Sequence, residues 1–93
     1  MKKNIQVSVV IPSFNEAASL PELVDRIVRT MNKSFRNNFE ILIIDDGSTD
    51  ETQLALSRLV KKYSFLKDVL LRTNFGKSTA LMAGFAQAKG GLV

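Results

Sequence analysis

The chain has 93 residues and contains no cysteine and no histidine. Without cysteine, neither a disulfide framework nor a zinc site with cysteine ligands is possible. Without histidine, the chain also lacks the usual general base, the Ser-His-Asp triad and most transition-metal sites. Any metal ion bound by these residues would therefore be a hard cation held by oxygen ligands.

Apolar residues make up 45% of the chain, enough for a core, but no apolar run is long. The run Val9-Val10-Ile11 near the N-terminus is stopped by Pro12, so it is too short for a signal peptide or a membrane span. The net charge of +4 comes from scattered Lys and Arg, a pattern more typical of a solvated surface than of a nucleic-acid patch. Attraction to anionic phosphates or to a membrane surface stays open. These totals predict one small cytoplasmic domain.

Three apolar runs alternate with three helical patterns. The runs at residues 7–11, 41–44 and 69–71 predict strands, and the second and third are apolar enough to be covered on both faces. Three- and four-residue spacing of apolar side chains predicts three helices. Their stripes are Leu20, Leu23, Val24, Ile27, Val28 and Met31; then Leu56, Leu59, Val60 and Tyr63; then Ala80, Leu81, Gly84, Phe85 and Ala88.

This alternation predicts an α/β fold, a Rossmann-like βαβαβα order with a parallel, right-handed, doubly wound sheet. The segment Gly90-Gly91-Leu92-Val93 reads as the start of a fourth strand, so residues 1–93 are interpreted as a truncated part of a larger domain. An open sheet edge and apolar helix faces would then make self-association a risk.

Local signals add detail to the helices. Residues 19–22 and 48–51 each fit a capping box, with Ser at the first position and Glu at the fourth. Gly84 inside the third helical pattern costs about 1 kcal/mol relative to Ala. A close approach to the sheet is the reason we expect for it.

Three polar turns follow the three predicted strands. They run over residues 12–16, 45–50 and 73–77, and all three contain groups that hydrogen-bond, stack or carry charge. In parallel α/β sheets, ligands bind outside the carboxyl ends of the strands. The sequence therefore predicts that these turns converge on one ligand site.

The acidic turn, Asp45-Asp46-Gly47-Ser48-Thr49-Asp50, has two adjacent carboxylates that repel one another. One explanation is structural: an aspartate binds backbone N–H groups, Gly47 makes the turn, and Ser48 or Asp50 caps the next helix. That explanation does not require both aspartates. The alternative is that at least one binds a ligand, for example the imide N–H of uracil or the N–H groups of guanine.

Phe14 lies in a polar turn just after the first strand. A phenylalanine there often packs beneath its loop, which is the structural explanation. The functional alternative is a platform on which a nucleobase stacks, an interaction worth about 1–3 kcal/mol where it has been measured. Both explanations stay open at this point.

The segment Gly76-Lys77-Ser78-Thr79 resembles the end of a phosphate-binding P-loop. A P-loop needs glycine five residues before its Gly-Lys pair, and that position is Leu71. We therefore interpret the segment as a false match. Lys77 is either a positive charge available to a phosphate near the helix N-terminus or part of a solvated face.

Three segments together resemble the family 2 glycosyltransferases with the GT-A fold. They are "VSVVIPSFNEAASLPELV", "EILIIDDGSTDET" and "RTNFGKSTALMAGFAQAKG", in the family's order and spacing over nearly the whole chain. The third segment is most similar to the branch that glycosylates polyprenyl phosphates, such as dolichol-phosphate mannose synthase. One departure is Gly91, where family members often have Asp or Glu.

The resemblance implies a nucleotide-diphosphate sugar donor, linked to UDP or GDP. It implies that Asp46 contacts the base and that Asp45, Gly47 and Ser48 shape its pocket. It further implies ligand contacts for Pro12, Phe14, Asn15 and Glu16, around base and ribose, and for Asn74, Gly76 and Lys77 at the side.

The resemblance also implies a divalent cation, Mg²⁺ or Mn²⁺, bound by an Asp-X-Asp sequence downstream of this chain. The catalytic base of the inverting enzymes follows later still, so this segment is expected to bind nucleotide but not to turn over alone. The implied acceptor is a polyprenyl phosphate at the cytoplasmic membrane face. Two other hypotheses remain: a non-catalytic nucleotide- or partner-binding module, and an ordinary α/β domain whose acidic turn is only a cap.

Overall fold

The computed structural model describes residues 5–36, 38–71, 73 and 76–88, with Lys77 and Ser78 described by their backbone alone. It contains three strands and three helices in strict alternation, which confirms the predicted βαβαβα order. The elements are β1 Val7–Ser13, α1 Leu20–Phe35, β2 Phe39–Asp45, α2 Thr52–Lys62, β3 Leu66–Leu70 and α3 Lys77–Gln87. The fourth strand predicted at residues 90–93 lies outside the described residues.

The sheet has the order β1-β2-β3, and both strand pairs are parallel. All seven residues of the central strand β2 are buried. The prediction of coverage on both faces is therefore confirmed for residues 41–44, whereas the burial of the charged residues Glu40 and Asp45 was not predicted. The same prediction was wrong for β3. That strand begins at Leu66 rather than at residue 69, and Leu70 is 52% exposed. In the described sheet, β3 pairs along one side only, so its Lys67 and Asp68 need not be buried as β2 residues are.

Helices cover both faces of the sheet. On one face, Ile41 and Ile43 of β2 belong to a core cluster with buried residues of α1 and α2, among them Val24 and Leu56. On the other face, Leu42 and Ile44 form a smaller cluster with Ala80 of α3. Helices on both faces agree with the doubly wound prediction. Two residues of the predicted apolar stripes, Leu23 of α1 and Phe85 of α3, are instead 42% and 50% exposed.

Both predicted capping boxes were wrong. Ser19 does precede α1, but it makes no side-chain cap, and its hydroxyl donates to Glu16 Oε2 at 2.8 Å. Helix α2 begins at Thr52, so Ser48 lies too early to cap it and instead donates to Asp45. In each case a neighbouring carboxylate accepts the hydroxyl in place of a helix amide.

Gly84 lies on the side of α3 that faces β1 and β2. A Cβ atom added there would lie 2.2 Å from Val10 Cγ1 and 3.1 Å from Ile44 Cγ1. Real Cβ atoms are not found at the first distance, so a side chain at this position would force α3 away from β1 and β2. The close approach predicted for this glycine is therefore confirmed.

We expect Gly84→Ala to destabilise the chain by about 1–3 kcal/mol, the usual cost of overpacking a core. At an ordinary helix position the same change would stabilise by about 1 kcal/mol. The free energy of unfolding, from urea titration followed by circular dichroism, gives the sign. Ala86→Gly, on the exposed side of α3, is the matched control and should cost only about 1 kcal/mol. A more stable Gly84→Ala chain would show that α3 does not pack this tightly.

Candidate functional site

A cleft of about 200 Å³ lies at the carboxyl ends of β1 and β2, and it is lined by Pro12, Ser13, Phe14, Glu16 and Asp46. Its two sides come from the first two predicted turns. The backbone joins them directly, because the Asp46 N–H donates to the Ser13 carbonyl at 2.8 Å. The convergence of these turns, predicted from strand order alone, is therefore present in the structure.

Asp45 is completely buried at the end of β2. Its Oδ1 accepts the Ser48 backbone N–H at 3.1 Å and also the Ser48 hydroxyl. Gly47 makes the intervening turn in a left-handed conformation, with φ 71°. This is the structural explanation foreseen for one of the two aspartates.

Asp46 is 4% exposed and links the acidic turn to the third one. Its Oδ2 accepts the Gly76 N–H at 2.9 Å, immediately before α3 begins. A carboxylate at a helix N-terminus also interacts favourably with the helix dipole. Both aspartates therefore accept backbone N–H groups, although the structural explanation required this of only one of them. A ligand role for either aspartate stays a prediction.

The Gly76 amide bears on the P-loop resemblance. In a P-loop the backbone amides surround a phosphate, whereas this amide donates to a carboxylate. Gly76 itself has φ 97°, and a Cβ atom built on it would meet nothing within 4 Å. These observations agree with the interpretation that the Gly-Lys pair here is a false match.

Phe14 is 41% exposed and lines the cleft. It therefore does not pack beneath its own loop, which was the structural explanation for it. Glu16 lines the same cleft, and its Oε2 accepts the Ser19 hydroxyl at 2.8 Å. An exposed aromatic ring and a nearly buried carboxylate, Asp46, thus share one concave surface.

Two buried polar atoms lie at the bases of these turns. Ser13 Oγ and Asp45 Oδ2 have no hydrogen-bond partner among the described residues. Ser13 and Asp45 are neighbours in the β1–β2 register. Buried polar atoms of this kind are rare in folded proteins, and each is a place where a water molecule fits if there is room.

Sequence reasoning missed Thr52 and gave Asp50 only a capping role. Thr52 is completely buried; its hydroxyl accepts the Glu16 N–H at 3.0 Å and donates to Asp50 Oδ1. Asp50 Oδ1 also accepts the Thr52 N–H at 2.9 Å. The Thr52 hydroxyl bond is the main reason why the pKa of Asp50 is lowered, against the opposing effect of desolvation. The Asp-X-Thr spacing before a helix was the available signal.

The remaining predicted site residues differ in what the structure shows. Asn15 and Ser48 hydrogen-bond to each other, with the Asn15 N–H donating to Ser48 Oγ at 2.9 Å. Lys77 is the first residue of α3, described by its backbone. Asn74 lies outside the described residues. Ligand roles for all of these residues stay predictions.

The described part of the chain has neither a cluster of metal ligands nor a membrane-spanning helix. Within residues 5–36, 38–71, 73 and 76–88, no three acidic side chains come together in a way that could hold a metal ion. None of the helices in the same part of the chain combines the length and apolarity needed to cross a membrane.

Residues 8–93 match glycosyl transferase family 2, and the chain belongs to that family. Among curated proteins, it is 47% identical over 88 residues to the undecaprenyl-phosphate 4-deoxy-4-formamido-L-arabinose transferase of Aeromonas hydrophila. It is 37% identical over 93 residues to the protein of the same name from Proteus mirabilis. These matches cover 94% and 95% of the chain but only 27% of each relative, so the chain spans about a quarter of their length.

Solved structures show the same relation. A mannosyltransferase from Pyrobaculum calidifontis, in complex with GDP-Man and Mn²⁺, superposes with a TM-score of 0.79 and 28% identity, over 94% of this chain and 25% of that one. TarS of S. aureus gives a TM-score of 0.79 and 27% identity, over 96% of this chain and 16% of its own. The predicted GT-A half-domain is confirmed by these neighbours.

The Asp50 carboxyl offers a test of the turn geometry through its pKa. Thr52→Val keeps the shape of the side chain but removes the hydroxyl, so the Asp50 pKa should rise towards its ordinary value. Because the Asp50 pKa is lower in the folded than in the unfolded chain, ionised Asp50 stabilises the folded state at pH values above its unfolded-state pKa. Wild type should lose that stabilisation as the pH falls through the folded-state pKa of Asp50, and Thr52→Val should lose less. NMR titration of the Asp50 carboxyl carbon measures the shift.

Thr52→Ser is the control for this titration, because it retains the hydroxyl that donates to Asp50 Oδ1. Its Asp50 pKa should stay close to that of wild type. An unchanged Asp50 pKa in Thr52→Val would contradict the assigned hydrogen bond.

Proposed function

We propose that this chain is the nucleotide-sugar-binding part of an inverting glycosyltransferase. The full-length enzyme would transfer a sugar from a UDP- or GDP-linked donor to a polyprenyl phosphate at the cytoplasmic face of a membrane. Membership of glycosyl transferase family 2 supports the reaction class. The names of the curated relatives, which act on undecaprenyl phosphate, support the acceptor.

The observation that carries the proposal is the pairing of Phe14 with Asp46 in one cleft. The exposed Phe14 ring offers a face on which a flat base can stack. The Asp46 carboxylate can accept an N–H from the edge of that base, and its low exposure strengthens such a bond. A nucleobase has both features, a flat face and a hydrogen-bonding edge.

The other side chains of the cleft have supporting parts in this proposal. Glu16 and Pro12 would contact the ribose and the near side of the base, since both line the cleft. The start of α3 at Gly76 lies next to Asp46 and would line the side of the pocket, because Asp46 accepts the Gly76 N–H. Lys77, the first residue of α3, would add positive charge there.

The proposed acceptor determines how much general-base catalysis the full-length enzyme would need. A phosphate oxygen of a polyprenyl phosphate is already anionic, so its attack on the sugar needs little proton transfer. A divalent cation, which we assign to an Asp-X-Asp sequence downstream in the full-length protein, would stabilise the charge of the departing nucleoside diphosphate. The Pyrobaculum neighbour, solved with GDP-Man and Mn²⁺, supports the use of a divalent cation.

Calorimetric titration of the chain with UDP, GDP and ADP, each with and without Mn²⁺, tests the nucleotide pocket. We expect UDP or GDP to bind and ADP not to bind. Asp46→Asn should abolish binding, because it keeps one acceptor oxygen for the Gly76 N–H but replaces the other with an amide donor. Glu22→Gln removes a carboxylate from an exposed α1 ion pair and is the matched control, with unchanged binding.

Three outcomes would count against this proposal. Equal binding by wild type and Asp46→Asn would remove Asp46 from the base contact. Equal binding of ADP would indicate a phosphate site without base recognition. A folded chain that binds none of the three nucleotides would contradict nucleotide binding by this segment alone. A turnover assay on the full-length protein would then show whether it is a transferase or a non-catalytic module.

Stacking on Phe14 is tested separately. Phe14→Ala should weaken UDP or GDP binding about tenfold or more, as expected for the loss of one base–aromatic contact. Phe14→Tyr retains the ring and should bind like wild type. Equal affinities for the alanine and tyrosine variants would show that the ring does not contact the base.

A further inference from the structure

We infer that Asn15 is a positioning residue, which clamps the first turn to the acidic turn and so holds Phe14 and Glu16 in the cleft. This inference rests on the proposed nucleotide pocket. The sequence analysis gave Asn15 a direct contact with the ligand. Here Asn15 instead lies outside the pocket and fixes the positions of the residues that line it.

Asn15 lies outside the cleft that its two neighbours line. Its two neighbours in sequence, Phe14 and Glu16, line the cleft with Asp46, whereas Asn15 does not. Asn15 instead lines a neighbouring depression, together with Asp50 and Glu51. A residue placed there affects a nucleotide in the cleft through its neighbours.

Asn15 hydrogen-bonds to the acidic turn through its side chain and its backbone. Its Oδ1 accepts two successive backbone N–H groups, from Thr49 at 2.8 Å and from Asp50 at 3.3 Å. Its Nδ2 lies 3.4 Å from Thr49 Oγ1, and its own N–H donates to Ser48 Oγ at 2.9 Å. One residue thus makes four hydrogen bonds to a turn that lies more than thirty residues further along the chain.

The backbone of Asn15 has an unusual, left-handed conformation. Its φ of 53° lies in the left-handed region, which few residues other than glycine adopt without strain and which asparagine tolerates comparatively well. The hydrogen bonds of the side chain to the acidic turn hold the residue in that conformation.

The choice of an amide over a carboxylate fits the electrostatics. The residues around the clamp include Glu16, Asp50 and Glu51, all acidic, so a further negative charge would be repelled. An asparagine carbonyl accepts the two N–H groups without adding charge, and its NH₂ group can donate to Thr49. Aspartate would keep the acceptor but lose that donor.

Two variants separate the side-chain bonds from the backbone conformation. Asn15→Gly accepts the left-handed φ freely but removes every side-chain hydrogen bond. Asn15→Asp keeps an acceptor for the Thr49 and Asp50 amides. We expect Asn15→Gly to speed hydrogen exchange of these two amides about tenfold or more, while exchange in the β2 core stays as in wild type. Asn15→Asp should restore much of the protection.

Nucleotide binding supplies the functional readout. With UDP and GDP as probes, Asn15→Gly should bind on the order of tenfold more weakly than wild type, and Asn15→Asp should recover part of that loss. Binding and exchange should change together across the variants. Circular dichroism confirms that each variant is folded.

The outcomes distinguish this inference from the proposed function. Unchanged exchange of the Thr49 and Asp50 amides in Asn15→Gly overturns the clamp, whatever the nucleotide does. Weaker nucleotide binding with unchanged exchange overturns it in favour of a direct contact. If wild type binds neither UDP nor GDP, the proposed pocket fails in this chain, and the exchange measurement still decides whether Asn15 clamps the turns.

Discussion

The complete burial of β2 is the constraint on which the rest of the structure depends. This strand has a neighbour on each side and helices over each face, so none of its seven residues reaches solvent. Apolar side chains satisfy that environment along most of its length. Asp45 ends the strand and Asp46 follows it, and both are still buried. A buried carboxylate needs hydrogen-bond donors, and the turns that follow supply them.

The shapes of the turns follow from that need. Ser48 folds back to donate to Asp45, which requires the left-handed Gly47 between them. The start of α3 is held against Asp46 by the Gly76 amide. Asp46 also lines the cleft, so the hydrogen bond that Asp46 accepts from Gly76 places the start of α3 beside the cleft.

Much of the fold could be predicted from the sequence because it depends on local periodicity. The apolar run of β2 and the helical stripes each carry their own signal, and parallel order follows from their alternation. The start of β3 could not be found this way, since Lys67 and Asp68 are polar and are tolerated at a position that pairs along one side. The capping boxes failed because Ser19 and Ser48 bond to the nearby carboxylates of Glu16 and Asp45.

The site was predictable in outline for a related reason. Strand ends meet at one edge of a parallel sheet, so turns that carry Phe14 and Asp46 had to come together. The parts that joined them were not visible in the sequence. Thr52 and Glu16 are 36 residues apart, and Asn15 and Asp50 are 35 apart, so no short motif contains both members of either pair.

The position of α3 determines which edge of the sheet a further strand would join. Helices α1 and α2 lie on one face of the sheet and connect β1 to β2 and β2 to β3. Helix α3 lies on the opposite face and packs over β2 and β1. Right-handed crossovers reverse the direction of winding when the connecting helix changes face. A further parallel strand reached from α3 would therefore pair with β1 along the edge that has no partner in the described three-stranded sheet. The cleft beside Pro12 and Phe14 would then lie at the point where the winding of the sheet changes direction.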